Sequence, residues 1–312
     1  MTTTYTVAVI TYRRPVDLAR LLPGLREQVA ELNARSEPSY DGRILVVDND
    51  PAGSGSPVVA AYDDVAYVRE PEPGIAAARN RSIAETGERD LLVFIDDDEV
   101  PRAGWLAALL DMHHRTHAEA VTGSVVSTFD APVNEWITAG EFFTRRHRQG
   151  LAAGTELAVA ASNNLLLDRR ALDRFGIRFD ADFGLSGGSD TLFSRELVSR
   201  GGRIVWCPDA CVVEHVPAAR LSRRWLLTRA LSYGTTDCRV AIRLADGRGP
   251  RLQARARCVG RGIPRVLVGA VRQAYGRLTG SPRHQALGAQ TLWRGSGLVL
   301  GSFGYSYQRY RR

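Results

Sequence analysis

Three apolar runs constrain this chain more than any other feature: VAVIT (7–11), RILVVD (43–48) and LLVFID (91–96). Each is apolar on successive residues, the pattern of a strand covered on both faces, as in parallel sheets. Between the first two, RRPVDLARLLPGLREQVAEL places Val16, Leu18, Leu21, Leu22, Leu25 and Val29 near helical spacing. Pro15 suits a first helical turn, and Pro23 marks a place where the helix would kink or break. AYVRE (66–70) reads as a short strand and Gly74–Thr86 as a helix. Strands alternating with helices predict an α/β fold with a mostly parallel sheet flanked by helices. Such sheets bind ligands beyond the carboxyl ends of their strands, and Asp48 and Asp96 stand at two of those ends.

From about Arg102 the pattern is less regular. A helix is expected near 102–116, strands near 120–126 and 158–167, a helix near 190–200 and short strands near 203–214. After Pro217 the sequence reads as basic, amphipathic helices interrupted by Gly and Pro. The charge changes there too. Residues 1–216 hold 22 arginines against 32 acids, net −10, whereas 217–312 hold 19 arginines against Asp237 and Asp246, net +17. All 41 basic residues are arginine. A split this lopsided predicts two regions, 1–216 and 217–312, with different partners.

With 312 residues, 44% of them hydrophobic, the chain is long and apolar enough for a globular core. No run reaches the roughly 18 to 20 apolar residues of a spanning helix. The N-terminus lacks a positive stretch before its apolar run, so a cytosolic location is expected. Cys207, Cys211, Cys238 and Cys258 fit no zinc spacing and are expected to be reduced, buried thiols.

The run LLVFID continues into Asp97, Asp98 and Glu99, giving four consecutive acids. Two carboxylates about 4 Å apart repel by roughly 4 kcal/mol at an effective dielectric near 20. A divalent cation such as Mg²⁺ or Mn²⁺ would remove that cost and could then neutralise phosphates. The alternative is a solvated turn in which Asp98 or Glu99 caps the next helix, with Pro101 in its first turn. The spacing does not fit an EF-hand, which needs Gly at the sixth loop position and Glu at the twelfth. An aspartate-nucleophile phosphatase would need further downstream residues that the chain does not show.

The ordered set VAVITYRRP, VVDND, GIAAARNRS, FIDDDE, GLSGGSDTLF and VEHVP, over about residues 5–216, resembles the family 2 glycosyltransferases. The resemblance implies the GT-A fold, the Rossmann-like fold of nucleotide-diphosphosugar transferases. It also implies a nucleotide-binding half (about 1–100) and an acceptor and catalytic half (about 101–216), and it leaves the basic helical region at 217–312 outside. By the same resemblance Thr11, Tyr12 and Arg13 wrap the base and ribose. Asp48 accepts the uracil N3–H, a role suited to a carboxylate. Arg79 lies near the base and diphosphate, where a planar guanidinium can bridge phosphate oxygens, with Asn80 a weaker candidate. Asp96 contacts the ribose, Asp98 ligates the metal, and Asp97 adds field or holds the loop. His215 is the expected second metal ligand, and an imidazole suits Mn²⁺ better than Mg²⁺. Asp190 is the expected base. Here the chain reads Gly188-Ser189-Asp190 where family members often read G-E-D, which leaves the preceding acid's role unfilled. Asn163, with Asn164, matches a region that touches donor sugar or acceptor, and Trp136 and Trp206 could line an acceptor cleft.

Taken together, the resemblance implies an inverting, hexosyltransferase-type enzyme using a UDP-linked sugar and a divalent metal. Its acceptor would be a glycan, a lipid-linked sugar or a small molecule, in cell-surface polysaccharide or natural-product assembly. Two alternatives stand beside it. One is a nucleotidyltransferase on a related fold, although no Gly-rich triphosphate loop comes after the first strand. The other is a non-enzymatic nucleic-acid binder using the basic region, although that region has few aromatics and the acidic part would repel a polyanion. The arginines interleaved with apolar residues after 217 also predict docking on the inner face of an anionic membrane.

Overall fold

The computed structural model describes residues 2–307. The elements run β1 (Thr3–Thr11), α1 (Pro15–Asn33), β2 (Tyr40–Asp48), α2 (Ser56–Val59), β3 (Val65–Arg69), α3 (Ile75–Thr86), β4 (Leu91–Asp96), β5 (Glu99–Pro101) and α4 (Trp105–Thr116). Then come β6 (Ala120–Phe129), α5 (Glu135–Gly140), β7 (Asn164–Asp168), α6 (Arg169–Phe175), α7 (Ser189–Ser199) and β8 (Ile204–Val216). The last three helices are α8 (Arg223–Arg243), α9 (Arg248–Leu278) and α10 (Pro282–Ser302).

The chain divides into two units. One holds residues 1–126, 148–184 and 189–214; the other holds 127–147, 185–188 and 215–312. The second unit therefore takes in two short segments from inside the region that the charge pattern separates at 216.

The first unit is built on an eight-stranded sheet in the order β3-β2-β1-β4-β7-β6-β8-β5. Strands β3, β2, β1 and β4 are parallel; β7 enters antiparallel to β4, β6 is antiparallel to β7, and β5 to β8. Along β1 the side chains alternate between two cores. Tyr5, Val7 and Val9 join Leu18, Leu21, Leu22 and Leu25 of α1 and Trp105, Leu106, Leu109 and Leu110 of α4. Ala8 and Ile10 join Ala76, Ala78 and Ile83 of α3, Leu172 of α6 and Phe193 and Leu197 of α7. Helices thus cover both faces, which is why the strand sequences are apolar throughout. Pro23 neither breaks nor ends α1; it lies on the exposed side, where the carbonyl it leaves without an N–H partner faces water.

The register positions the site. Thr11 pairs with Asp48, and Ile10 with Asp96. The carboxyl ends of β2, β1 and β4 therefore lie level, with two acids flanking β1.

The second unit is helical and packs through its smallest residues. A Cβ on Gly269 of α9 would lie 2.4 Å from Leu292 N of α10, and one on Gly276 2.4 Å from Gln285 N. On the α8–α10 side, a Cβ on Gly234 would lie 2.2 Å from Arg294 O. The sequence predicts breaks at these glycines; instead the helices run through them, and the glycines let their backbones touch. All four cysteines are free and buried.

Candidate active site

The site is built on the level strand ends of the first unit. Beyond β1, Thr11 is buried and donates from its hydroxyl to Asp97 Oδ2 at 2.8 Å. Arg13 takes a left-handed backbone (φ 54°), which costs a side-chain-bearing residue about 1 kcal/mol. The turn holds it there: its N–H donates to Ser54 Oγ at 3.1 Å, and its Nε lies 3.5 Å from Asp50. The Arg13 guanidinium covers the Tyr12 ring at 5.1 Å.

Asp48 ends β2 fully buried. Its Oδ2 accepts from the Gly55 N–H (2.6 Å) and the Tyr67 hydroxyl (3.0 Å), and its Oδ1 from the Asp50 N–H (3.0 Å). Burial and Asp48 push the Tyr67 phenol up to about 12, so it stays a donor. A carboxylate offers about four acceptor positions, so a nucleotide base could meet only what these three bonds leave. Next to it, Asn49 donates to the carbonyls of Glu70 (2.9 Å) and Glu72 (2.6 Å) and accepts from the Gly74 N–H (3.1 Å). Gly74 has φ 118°, and a Cβ there would lie 3.2 Å from the Gly184 backbone. Asn49 thereby fixes the start of α3, the helix that carries Arg79.

The four acids after β4 have separate tasks. Arg14 donates from one nitrogen to Asp97 Oδ1 and Asp98 Oδ2, each at 2.9 Å. Burial disfavours the guanidinium's charge, but Asp97 and Asp98 outweigh it and hold Arg14 protonated. Burial and Asp98 push the Asp96 carboxyl up to about 7, with Arg79 pulling it down. Asp97 is pushed up to about 6 by burial, against the pull of Arg14. Glu99 is buried and faces inward. Its Oε1 accepts from Asn163, and its Oε2 lies 3.4 Å from the Asp96 N–H. Burial, then Asp96, raises Glu99 well above the usual carboxylate range. Glu99 is therefore an inward-facing strut of the loop, bonded to Asn163.

Arg79 is buried on α3, donates to Ser189 Oγ at 2.8 Å and lies 5.3 Å from the centre of the Phe179 ring. Asn80, beside it, exchanges two hydrogen bonds with the Phe179 backbone (2.8 and 2.9 Å). Asp190 comes directly after Ser189 in the first turn of α7, half-buried, its Oδ1 accepting from the Thr191 N–H at 2.8 Å. Thr11, Tyr12, Arg13, Asp48, Arg79, Asp96, Asp97, Asp98, Asn163 and Asp190 all fall in the first unit, and His215 in the second. There, His215 Nδ1 lies 3.3 Å from Thr128 Oγ1 and 3.9 Å from Asp130. Asn164 is a structural clamp: it accepts from the Trp105 indole N–H (2.9 Å) and donates to the carbonyls of Ser124 (2.9 Å) and Ala210 (2.8 Å). Trp136 and Trp206 are buried in their units.

Sequence reasoning missed two residues. Arg14 stood in the same loop as Arg13, and only the β1–β4 pairing reveals which arginine faces the acids. Ser189, noted only as a departure from the family pattern, is the partner of Arg79.

Among the described residues no three His, Cys, Asp or Glu side chains gather as a metal cage. Mg²⁺, however, is commonly held by one or two carboxylates plus substrate phosphates. Carboxylates at a strand's end, beside arginines, fit a cation shared with a diphosphate rather than one caged by protein alone.

The profile of glycosyl transferase family 2 matches residues 6–176. The chain belongs to that family. As a family 2 glycosyltransferase it is 34% identical over 246 residues to the succinoglycan biosynthesis protein ExoM of Rhizobium meliloti (strain 1021), across 77% of this chain and 76% of that one. It is 27% identical to the pre-mycofactocin glycosyltransferase of Mycobacterium tuberculosis, across 73% of this chain but only 47% of the relative. Among solved structures, S. aureus TarS 1-349 in complex with UDP superposes with a TM-score of 0.55 at 15% identity, covering 97% of this chain and 91% of that one. GalNAc-T7 with UDP, GalNAc and Mn²⁺ gives 0.53 at 12%, covering 77% and 50%. The fold of this glycosyltransferase is GT-A, and its reaction is sugar transfer from a nucleotide sugar. That decides against the nucleotidyltransferase and the non-enzymatic alternatives.

Proposed function

We propose that this glycosyltransferase is an inverting enzyme that takes its sugar from a UDP-linked donor, with Asp190 as general base. The observation that carries the reading is Arg79. This buried guanidinium acts on Asp96 at the end of β4 and bonds Ser189, the residue before Asp190. It ties the strand end that would receive the nucleotide to the helix turn that would carry the base.

Asp190 takes the proton from an acceptor hydroxyl. The acceptor oxygen forms its bond to the anomeric carbon on the face opposite the diphosphate. The bond from that carbon to the diphosphate oxygen breaks, and the electron pair leaves with the nucleotide. Arg79, a buried guanidinium, would stabilise the added negative charge, and a buried site strengthens that effect. Asp98 would hold a divalent cation, which when bound neutralises the diphosphate. Asp48 and the Thr11–Arg13 loop would receive uracil and ribose. UDP in the TarS and GalNAc-T7 structures supports that choice of nucleotide, and Mn²⁺ in the latter supports the cation. The kinship to a succinoglycan biosynthesis protein favours a glycan acceptor.

Calorimetry of the full chain with UDP, with and without chelator, tests the nucleotide and cation. Affinity should fall sharply in chelator, and equal binding would sink the shared-cation reading. The near-isosteric Asp190→Asn should keep UDP binding and lose turnover by roughly two to four decades. Near-normal turnover would leave Asp190 as a helix-turn residue only.

A further inference from the structure

Helix α9 packs with its small residues and exposes its large ones. Ala254, Cys258, Gly262, Gly269 and Gly276 are its buried positions. Ile263, Leu267, Val271 and Tyr275 recur at every fourth residue and are 49%, 62%, 71% and 53% exposed, and Leu278 reaches 88%. At about 100° per residue these five lie within roughly 120° of one another around the helix. Arg261 borders that stripe on one side and Arg277 on the other, while Arg265 and Arg272 lie nearer α10, where a Cβ on Gly295 would sit 2.8 Å from Arg265 and Arg272 Nε lies 3.4 Å from His284. The helix carries eight arginines and no acid.

We propose that this face of α9 is a docking surface for an anionic lipid bilayer, lying in the plane of the headgroups. The apolar stripe would enter the acyl boundary while the bordering arginines extend to lipid phosphates. Charge complementarity selects this occupant. The region from 217 on carries net +17, so a second copy pairing through the same face would meet like charge. A nucleic acid would satisfy the arginines but leave the apolar stripe in water. Among the described residues no helix is long and apolar enough to cross a membrane, which fits a helix lying on the surface. The helices also associate by small-residue contact, the mode that remains available in lipid, where apolar side chains gain little by hiding from their surroundings. The inference stands apart from the donor and base assigned above, since UDP binding neither requires nor excludes it.

The test is co-sedimentation of the full chain with phosphatidylcholine vesicles and with equal mixtures of phosphatidylcholine and phosphatidylglycerol. The chain should pellet only with the anionic vesicles, and less as salt rises, because the screening length falls to about 10 Å at 0.1 M. Each arginine near the surface should raise partitioning about fivefold. The double substitution Leu267→Glu with Val271→Glu alters two exposed positions, so it should keep the melting temperature and lower anionic-vesicle binding about tenfold or more. Leu267→Ser with Val271→Ser serves if the glutamates disturb the fold. A chain that stays in the supernatant at low salt overturns the proposal. So does vesicle binding indifferent to both double variants, or a wild-type dimer that these substitutions convert to monomer.

Discussion

Replacing Arg14 tests how the acids after β4 are held together. Arg14→Met keeps an unbranched apolar stem and removes the guanidinium with its charge. The wild-type guanidinium makes two contacts of 2.9 Å, to Asp97 and Asp98. Hydrogen bonds to charged groups contribute about 1.5–3 kcal/mol each. The Arg14 side chain is 39% exposed, however, so water screens part of that. One nitrogen serves both oxygens, which lowers the sum further. A combined loss of about 1–3 kcal/mol is the result, or a fall in melting temperature of roughly 2–12 °C at about 2–4 °C per kcal/mol. The variant also leaves Asp97 and Asp98 facing each other without the guanidinium, so a divalent cation gains what Arg14 supplied. Scanning fluorimetry in chelator and in excess Mg²⁺ or Mn²⁺ should show the cation raising the variant's melting temperature more than the wild type's. Arg14→Lys, which keeps a charge but loses the planar fork, should fall between the two. A Met variant that melts within about 1 °C of wild type in chelator would refute the clamp, because the smallest loss above exceeds that.

Two further perturbations probe the packing. Burial raises the Asp90 carboxyl, but the N–H and hydroxyl of Thr4 and the Arg170 guanidinium outweigh it and hold it below its ordinary value of 3.8. A depressed folded pKa adds stability above the unfolded value that is lost as pH falls through the folded one. Asp90→Asn should therefore unfold more easily in urea at neutral pH, with the gap to wild type closing below about pH 4; a gap unchanged at acid pH would contradict this. Gly269→Val should separate α9 from α10, since even its first carbon would sit 2.4 Å from Leu292 N. A loss of about 3 kcal/mol or more is expected, at the upper end of overpacking costs, read as a lower urea midpoint, and a neutral result would show that the helices have room.

The half of the sheet around β1 could be read from sequence because every strand there is covered on both faces and its neighbours come in order. β2 and β4 begin and end within a few residues of where apolar runs do. The later strands were harder. The run expected at 158–167 pairs only over Asn164–Asp168, because the residues before it serve loop contacts, such as the Ala160 N–H on Ser194 Oγ (3.1 Å). Site residues with local neighbours were legible; long-range partners were not. Nothing near Arg14 in sequence announces Asp98, 84 positions away. The Arg79–Ser189 bond joins residues 110 apart and rests on a serine where the family pattern favours an acid. Asp48 stood out as a strand-end acid, but its inward bonding depends on Tyr67 of the next strand. The glycines after 217 looked like breaks because propensity weighs a residue's cost within its own helix and not the partner it admits.

That close packing of glycine against backbone gives the helical unit its own response to temperature. The heat-capacity change of unfolding grows with the apolar surface exposed and shrinks with the polar surface exposed. Unfolding α9 from α10 uncovers the backbone along Gly262, Gly269 and Gly276 with a few apolar side chains such as Cys258 and Leu298, whereas unfolding the sheet uncovers the many leucines and valines of two cores. Per residue, the helical unit should have the flatter stability curve. Cooling, which weakens apolar burial, would erode the sheet before the helices, and calorimetry at low temperature would find the strands of the first unit the more cold-sensitive part of the enzyme.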